Sequence, residues 1–157
     1  MLEPSLPRWL LYLLSVMILT LALLLVADRS TADTNLPRDH ARVMKCHDIP
    51  WKIGSTQVRK LVRCIGDVWN VPGGGAKMVS VVSCETGGTF DHRAYNPNGH
   101  VGLMQHDEQA WRGRVSTWID PLGFRVTRWQ NAEVNAIMGA LMAKADGTWS
   151  RQWPGCS

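Results

Sequence analysis

Glutamate is scarce in this chain. Of 157 residues only Glu3, Glu85, Glu108 and Glu133 are glutamates, and the last three alone follow residue 27. A carboxyl with the properties of a proton donor therefore has few places to reside. Internal repeats and low-complexity tracts are absent, so the chain is neither a repeat array nor a biased linker. No closely spaced Cys or His pair flanks a turn as zinc ribbons and fingers require, which sets aside a zinc site of Cys46, His47 and Cys64. An H-E-x-x-H pattern is also missing, and no metal or other cofactor is expected. Finally, no charged residue occurs from Trp9 to Ala27.

That last absence divides the chain. A bilayer core of about 30 Å needs about 20 apolar residues in a helix, and 9–27 supplies them. A buried core helix of this length normally keeps a polar stripe, so a membrane segment is the better reading. The apolar region of a signal peptide is usually about 7–15 residues, which favours a signal-anchor. Ser30-Thr31-Ala32 has the small-x-small form of a cleavage site and keeps secretion after cleavage as the alternative. Arg8 and the amino terminus precede the span, whereas Asp28, Arg29 and Asp33 follow it. The positive-inside rule then places residues 1–8 in the cytoplasm and the remainder outside the cytoplasmic membrane. Residues 28–50 are aperiodic and read as a linker, with one domain over 51–157.

Cys46, Cys64, Cys84 and Cys156 all follow the span. An even count in an exported chain implies two disulfides, for which three pairings exist. Cys46–Cys64 with Cys84–Cys156 is the expected set, the second bond tying the carboxy-terminal tail to the helix that carries Glu85. From Asp28 onward sixteen Lys and Arg face twelve Asp and Glu. That balance suits an anionic partner, but on charge alone a soluble basic surface explains it equally well.

Several helices are legible. Val58, Leu61, Val62, Ile65 and Val68 recur at helical spacing, with Ser55 or Thr56 as the candidate cap. Asn70 to Gly75 ends that helix. A second, from about Ala76 to Glu85, sets Met78, Val82 and Glu85 on one face and stops at Gly87-Gly88. Residues 89–104 are turn-rich, and Asn98-Gly99 signals a small β element. Residues 105–115 could return to helix, and Asp120 to Trp129 has no clear pattern. Asn131 to Lys144 reads as a last helix on Val134, Ile137, Met138 and Leu141. The fold class is thus α+β, mainly α, with a small β element after one amino-terminal transmembrane helix.

Three short motifs carry a resemblance. They are Cys84-Glu85-Thr86-Gly87, Ala94-Tyr95-Asn96-Pro97 and Gly102-Leu103-Met104-Gln105-His106. With Trp111 to Arg114, the helix opening Asn131-Ala132-Glu133-Val134 and the tail Trp149 to Cys156, they resemble the lysozyme-like superfamily. The chain looks most like the lytic transglycosylase and goose-type lysozyme branch, as in small exported domains of actinobacteria and their phages. The resemblance covers roughly residues 55–157. Thr86 stands where that pattern has serine, the tryptophans of the tail are one residue further apart, and Ser116 to Gln130 fits poorly.

The resemblance implies a lysozyme-like domain in which Glu85 is the general acid. The chemistry agrees, because breaking a glycosidic bond requires protonating a poor leaving oxygen. An apolar pocket raises a carboxyl pKa so that the proton is held near neutral pH, as it does for the acidic glutamate of lysozyme itself. Glu108 and Glu133, among polar neighbours, read as surface charges. Asp91 and Asp107 are the nearby second carboxylates, and Asp91 also suits a side-chain turn. The resemblance implies one glutamate acting first as acid and then as base on peptidoglycan, leaving 1,6-anhydro ends. Tyr95, Asn96, Gly102, Leu103, Met104 and Gln105 would contact sugar, and Asn131 would support the site, with Asn135 as the alternative match. Trp111 and Trp149 are candidate sugar platforms, and His106 a structural hydrogen-bonder. The partners implied are glycan strands and the membrane, not nucleic acid. A hydrolytic lysozyme and a non-catalytic glycan-binding domain are the competing functions.

Overall fold

In the computed structural model the described residues are 36–157, with side chains from residue 38. The expected membrane span, 9–27, lies outside them, as does the segment before it. Among the described residues no helix is long and apolar enough to cross a membrane. The architecture is mainly helical with one two-stranded hairpin, in agreement with the α+β, mainly α expectation.

The first helix, α1, spans Leu36–His47. It corrects the expectation of a linker through residue 50. The segment is mixed in composition, but Val43 and Cys46 lie three apart on one face and are buried. A disulfide from Cys46 to Cys64 fixes α1 to α2, Ser55–Val68. A short 3₁₀ turn at Trp51–Ile53 lies between them. Helix α2 buries Val58, Leu61, Val62 and Ile65, the stripe expected from spacing. Its cap is not a hydroxyl: Gly54 precedes the first turn and no side chain bonds the free amides there.

Helix α3, Gly74–Glu85, packs along α2. Close approach is possible because Gly66 and Gly75 meet at the crossing. A Cβ on Gly66 would lie 2.6 Å from the Gly75 Cα, and one on Gly75 would strike the Arg63 carbonyl. The Gly75 amide then donates to Asp67 Oδ1 at 2.6 Å, which satisfies one of the orphan donors of the helix start.

Strand β1, His100–Val101, pairs antiparallel with β2, His106–Asp107, opposing His100 to Asp107 and Val101 to His106. A bridge from Tyr95 to Val101 adds a third short segment, turned by Asn96 to Gly99. The β element therefore falls where Asn98-Gly99 indicated. Only a four-residue helix follows directly, α4 at Trp111–Arg114, and it runs into a π turn at Val115–Ile119 and a 3₁₀ turn at Asp120–Leu122.

Helix α5, Ala132–Asp146, is the axis of the core. Every residue from Ala132 to Ala140 is buried, as expected for a helix wrapped on all sides. Asn131 Oδ1 caps it by accepting from the Glu133 and Val134 amides at 3.0 and 3.3 Å. Glu133 is 3 % exposed, which corrects its reading as a surface charge. The tail after α5 is bound back to α3 by the Cys84–Cys156 disulfide, so both expected pairings are present. Cys46 and Cys64 are consumed as a disulfide, which removes the thiolates a zinc site would need.

Candidate functional site

Glu85 is the last residue of α3, one turn beyond the buried Val82 and two beyond Met78. Its carboxyl opens into a cavity of about 380 Å³. One wall is the hairpin, with His100, Gln105, His106 and Asp107; a second is Arg114 of α4; a third is the tail from Gln152 to Gly155. The disulfide at Cys84, adjacent to Glu85, holds that tail wall in place. Burial raises the Glu85 pKa above the usual carboxylate range, and the charge of His100 offsets only part of the rise.

Asp107 lines the same cavity and behaves oppositely. Its Oδ1 accepts from the amides of Ala110 and Gln109 at 3.1 and 2.8 Å. These bonds, Ala110's first, together with the charges of Arg114 and His100, pull its pKa below the usual value. The cavity thus offers one carboxyl whose pKa is raised and another whose pKa is lowered.

The Gly102–Gln105 turn is built from inside. Asn135 of α5, fully buried, accepts from the Met104 amide at 2.9 Å and donates to the carbonyls of Trp129 at 3.2 Å and Val101 at 3.5 Å. The Met104 carbonyl accepts from Trp153 Nε1 at 2.6 Å, so both polar groups of that residue's backbone are held. Gly102 has φ +74°, and a Cβ there would collide with the Asn135 side chain. Its glycine thus makes room for the Asn135 side chain. Leu103 and Met104 are completely buried and line none of this cavity, contrary to their expected contact with substrate.

Gln105 does reach the cavity. It adopts φ +46°, a left-handed conformation costing about 1–3 kcal/mol for such a residue. Two bonds hold it: its Nε2 donates to the Gly102 carbonyl at 2.9 Å, and its Oε1 accepts from Asn96 Nδ2 at 3.0 Å. Asn96 Oδ1 accepts from the amides of Asn98 and His100, which fixes the amide orientation. Its Nδ2 then donates toward His100 Nδ1 at 3.2 Å. Asn96 is therefore a buttress for Gln105 and His100, outside the cavity lining.

His106 is locked similarly. Arg114 can only donate, so His106 Nδ1 accepts at 3.1 Å while Nε2–H donates to the Asn135 carbonyl at 3.2 Å. Burial first, and the Arg114 charge second, push its pKa down to about 3. A ring that stays neutral and fully bonded is a structural group, as expected, and not a base.

Other expected contacts fall elsewhere. Tyr95 is 59 % exposed and outside the cavity. Asn131 caps α5 and faces two grooves on another part of the surface, so the supporting role belongs to Asn135. Trp111 and Trp149 are core residues, with their Nε1 groups donating to the Thr127 and Pro72 carbonyls at 2.8 and 2.7 Å. The Thr86 hydroxyl donates to the Val82 carbonyl at 2.8 Å and receives the Phe90 amide, so the extra methyl does not displace its helix-end bond. Asp91 Oδ1 accepts from the Arg93 amide at 2.8 Å, the side-chain turn that its loop position suggested.

His100, Arg114 and the tail wall were not foreseen from sequence. For Asp107 the only signal was its position two residues after Gln105, the spacing that returns to the same side of a strand. Among the described residues no group of three His, Cys, Asp or Glu is placed to hold a metal ion. Compared with known proteins, the chain matches no family model, no curated protein and no solved structure.

Proposed function

We propose that this protein cleaves the β-1,4 bond between N-acetylmuramic acid and N-acetylglucosamine in peptidoglycan, with Glu85 as general acid in a lysozyme-like domain. The observation that carries the reading is Glu85 itself: a carboxyl with a raised pKa at the mouth of a preformed cavity. In the transglycosylase route Glu85 gives its proton to the glycosidic oxygen as the bond to C1 breaks. The resulting carboxylate then takes the proton of the C6 hydroxyl, whose oxygen closes on C1 to leave a 1,6-anhydro end. One glutamate suffices and is returned to its acid form. The amino-terminal span would tether the domain on the outer side of the membrane, or be removed on secretion.

A specific observation favours hydrolysis as the second reading. Asp107 is an ionised carboxylate in the same cavity, suited to orient a water or to stabilise positive charge on the sugar. Mass spectrometry of the fragments separates the routes, because anhydro ends weigh one water less than hydrolysed ends. Glu85→Gln should remove cleavage of purified peptidoglycan while the chain stays folded; full activity in that variant would sink the proposal. Asp107→Asn should leave anhydro products intact if Glu85 acts alone, and should stop release of reducing ends if water is the acceptor. Binding of insoluble peptidoglycan without release of fragments would instead assign a glycan-binding domain.

A further inference from the structure

We propose a second binding site, independent of Glu85, that takes phosphate groups of an anionic polymer or a lipid headgroup. A cavity of about 360 Å³ lies between the 3₁₀ turn at Trp51, the loop at His92 and Arg93, and the segment before α5. It has no residue in common with the Glu85 cavity. Its aromatic part is fixed by two contacts. The Trp51 and His92 rings meet edge to face with centroids 5.0 Å apart, and His92 Nδ1 donates to the Gln130 carbonyl at 2.6 Å.

The charge at this site is of one sign. Lys52, Arg93 and Arg128 line it, and no carboxylate does. Lys52 Nζ lies 5.5 Å from the centroid of the Trp51 ring. Among the described residues none of these three side chains enters a salt bridge. Of the acids nearby, Asp91 accepts from the Arg93 amide and Glu133 is paired with His47, while Asp48 lies in the adjoining groove that shares Trp51, Lys52 and Asn131. Three cations in a concave site that no carboxylate lines raise the local concentration of anions, and a guanidinium fork matches phosphate oxygens in pairs. A single carboxylate would leave two of the charges unanswered. A phosphate dianion, or successive phosphodiesters, answers more of them. Trp51 and the exposed Val126 offer apolar contact to the carbon unit between phosphates.

The test uses the full-length chain in phosphatidylcholine nanodiscs, titrated with poly(glycerol phosphate) and, separately, with polyglutamate. A second arm replaces part of the lipid with phosphatidylglycerol. Backbone amide shifts of Lys52, Arg93 and Arg128 report occupancy. Because these side chains are exposed, the K52Q/R93Q/R128Q variant should fold like the parent, which its melting temperature checks. The expected result is a response confined to this groove, with affinity weakened about tenfold or more in the triple variant. A response to poly(glycerol phosphate) names a soluble phosphodiester polymer as the source; a response to phosphatidylglycerol alone names the headgroup. Equal response to polyglutamate, no response in either arm, or an unchanged dissociation constant in the triple variant would overturn the proposal.

Discussion

Glu85 and Glu133 are both carboxyls whose pKa is raised by burial, yet they occupy opposite situations. Glu133 starts the central helix, its side chain 4 % exposed, and lies 3.1 Å from His47 on α1. Glu85 ends a helix, is half-buried and faces open space, with no hydrogen bond to its carboxyl among the described residues. Burial alone therefore does not make a proton donor. A buried acid already answered by a partner holds two elements together. A half-buried acid left open to a cavity is free to meet a ligand there.

The largest effect should come from removing the proposed proton donor. Glu85→Gln should lower the rate of peptidoglycan cleavage by about 10²–10⁴-fold, the range for loss of a general acid. Its stability should not fall. A carboxyl whose folded pKa is raised favours folding fully only below its unfolded pKa, so at neutral pH the ionised side chain is a burden that glutamine lacks. A melting temperature well below that of the parent would contradict this side of the comparison.

Next is the covalent brace of the Glu85 cavity. Replacing Cys84 and Cys156 together by serine frees a loop closed over 72 residues. The chain-entropy estimate for that loop is about 4 kcal/mol of stability, readable in denaturant unfolding. The tail from Gln152 to Gly155 should loosen with it, so substrate affinity should fall as well. Unchanged affinity in the double variant would show that the tail wall takes no part in binding.

His47→Ala tests the Glu133 side. It leaves a buried carboxylate without its partner, at a cost of about 1–3 kcal/mol near neutral pH. The deficit should shrink in acid, where Glu133 takes up a proton, and cleavage by the folded fraction should be unaffected. An activity loss comparable to that of Glu85→Gln would erase the distinction between the two acids.

The effect spread most thinly over conditions belongs to His106, since it appears only gradually with pH. Its pKa falls from 6.5 when unfolded to about 3 when folded, so between these values the unfolded chain binds the extra proton. Stability should therefore decline as pH falls through this window, by up to about 1.4 kcal/mol per unit from this group. Unfolding curves collected across the window measure the slope. An NMR titration in which the His106 ring protonates near its ordinary pKa would contradict the locked tautomer.

Local pattern was a good guide wherever one face of one element carried the information. The stripes of α2 and α3, the glycine stops and the hairpin signal at Asn98-Gly99 all follow from periodicity and backbone freedom. It was a poor guide where a residue's partner lies far along the chain. Glu133 looks like a surface charge because Asn131 and Asn135 lie two residues to either side, but its partner His47 is 86 residues away. Gly102 looks like a site of sugar approach, whereas the space it leaves is filled by Asn135. Trp111 and Trp149 look like exposed platforms only until their Nε1 groups are seen to serve distant carbonyls. Helix α1 was missed because the buried residues described in it, Val43 and Cys46, are too few to set a period; its place depends on the bond to Cys64.

The sequence by itself determined the helices with long apolar stripes, the oxidised cysteines and the candidacy of Glu85, since each rests on residue type and short-range spacing. Tertiary structure decided which acid stays open and which is answered, that Asn135 and not Asn131 supports the hairpin, and that Asp107 shares the cavity. Those outcomes depend on desolvation and on hydrogen-bond partners that only the folded chain brings together.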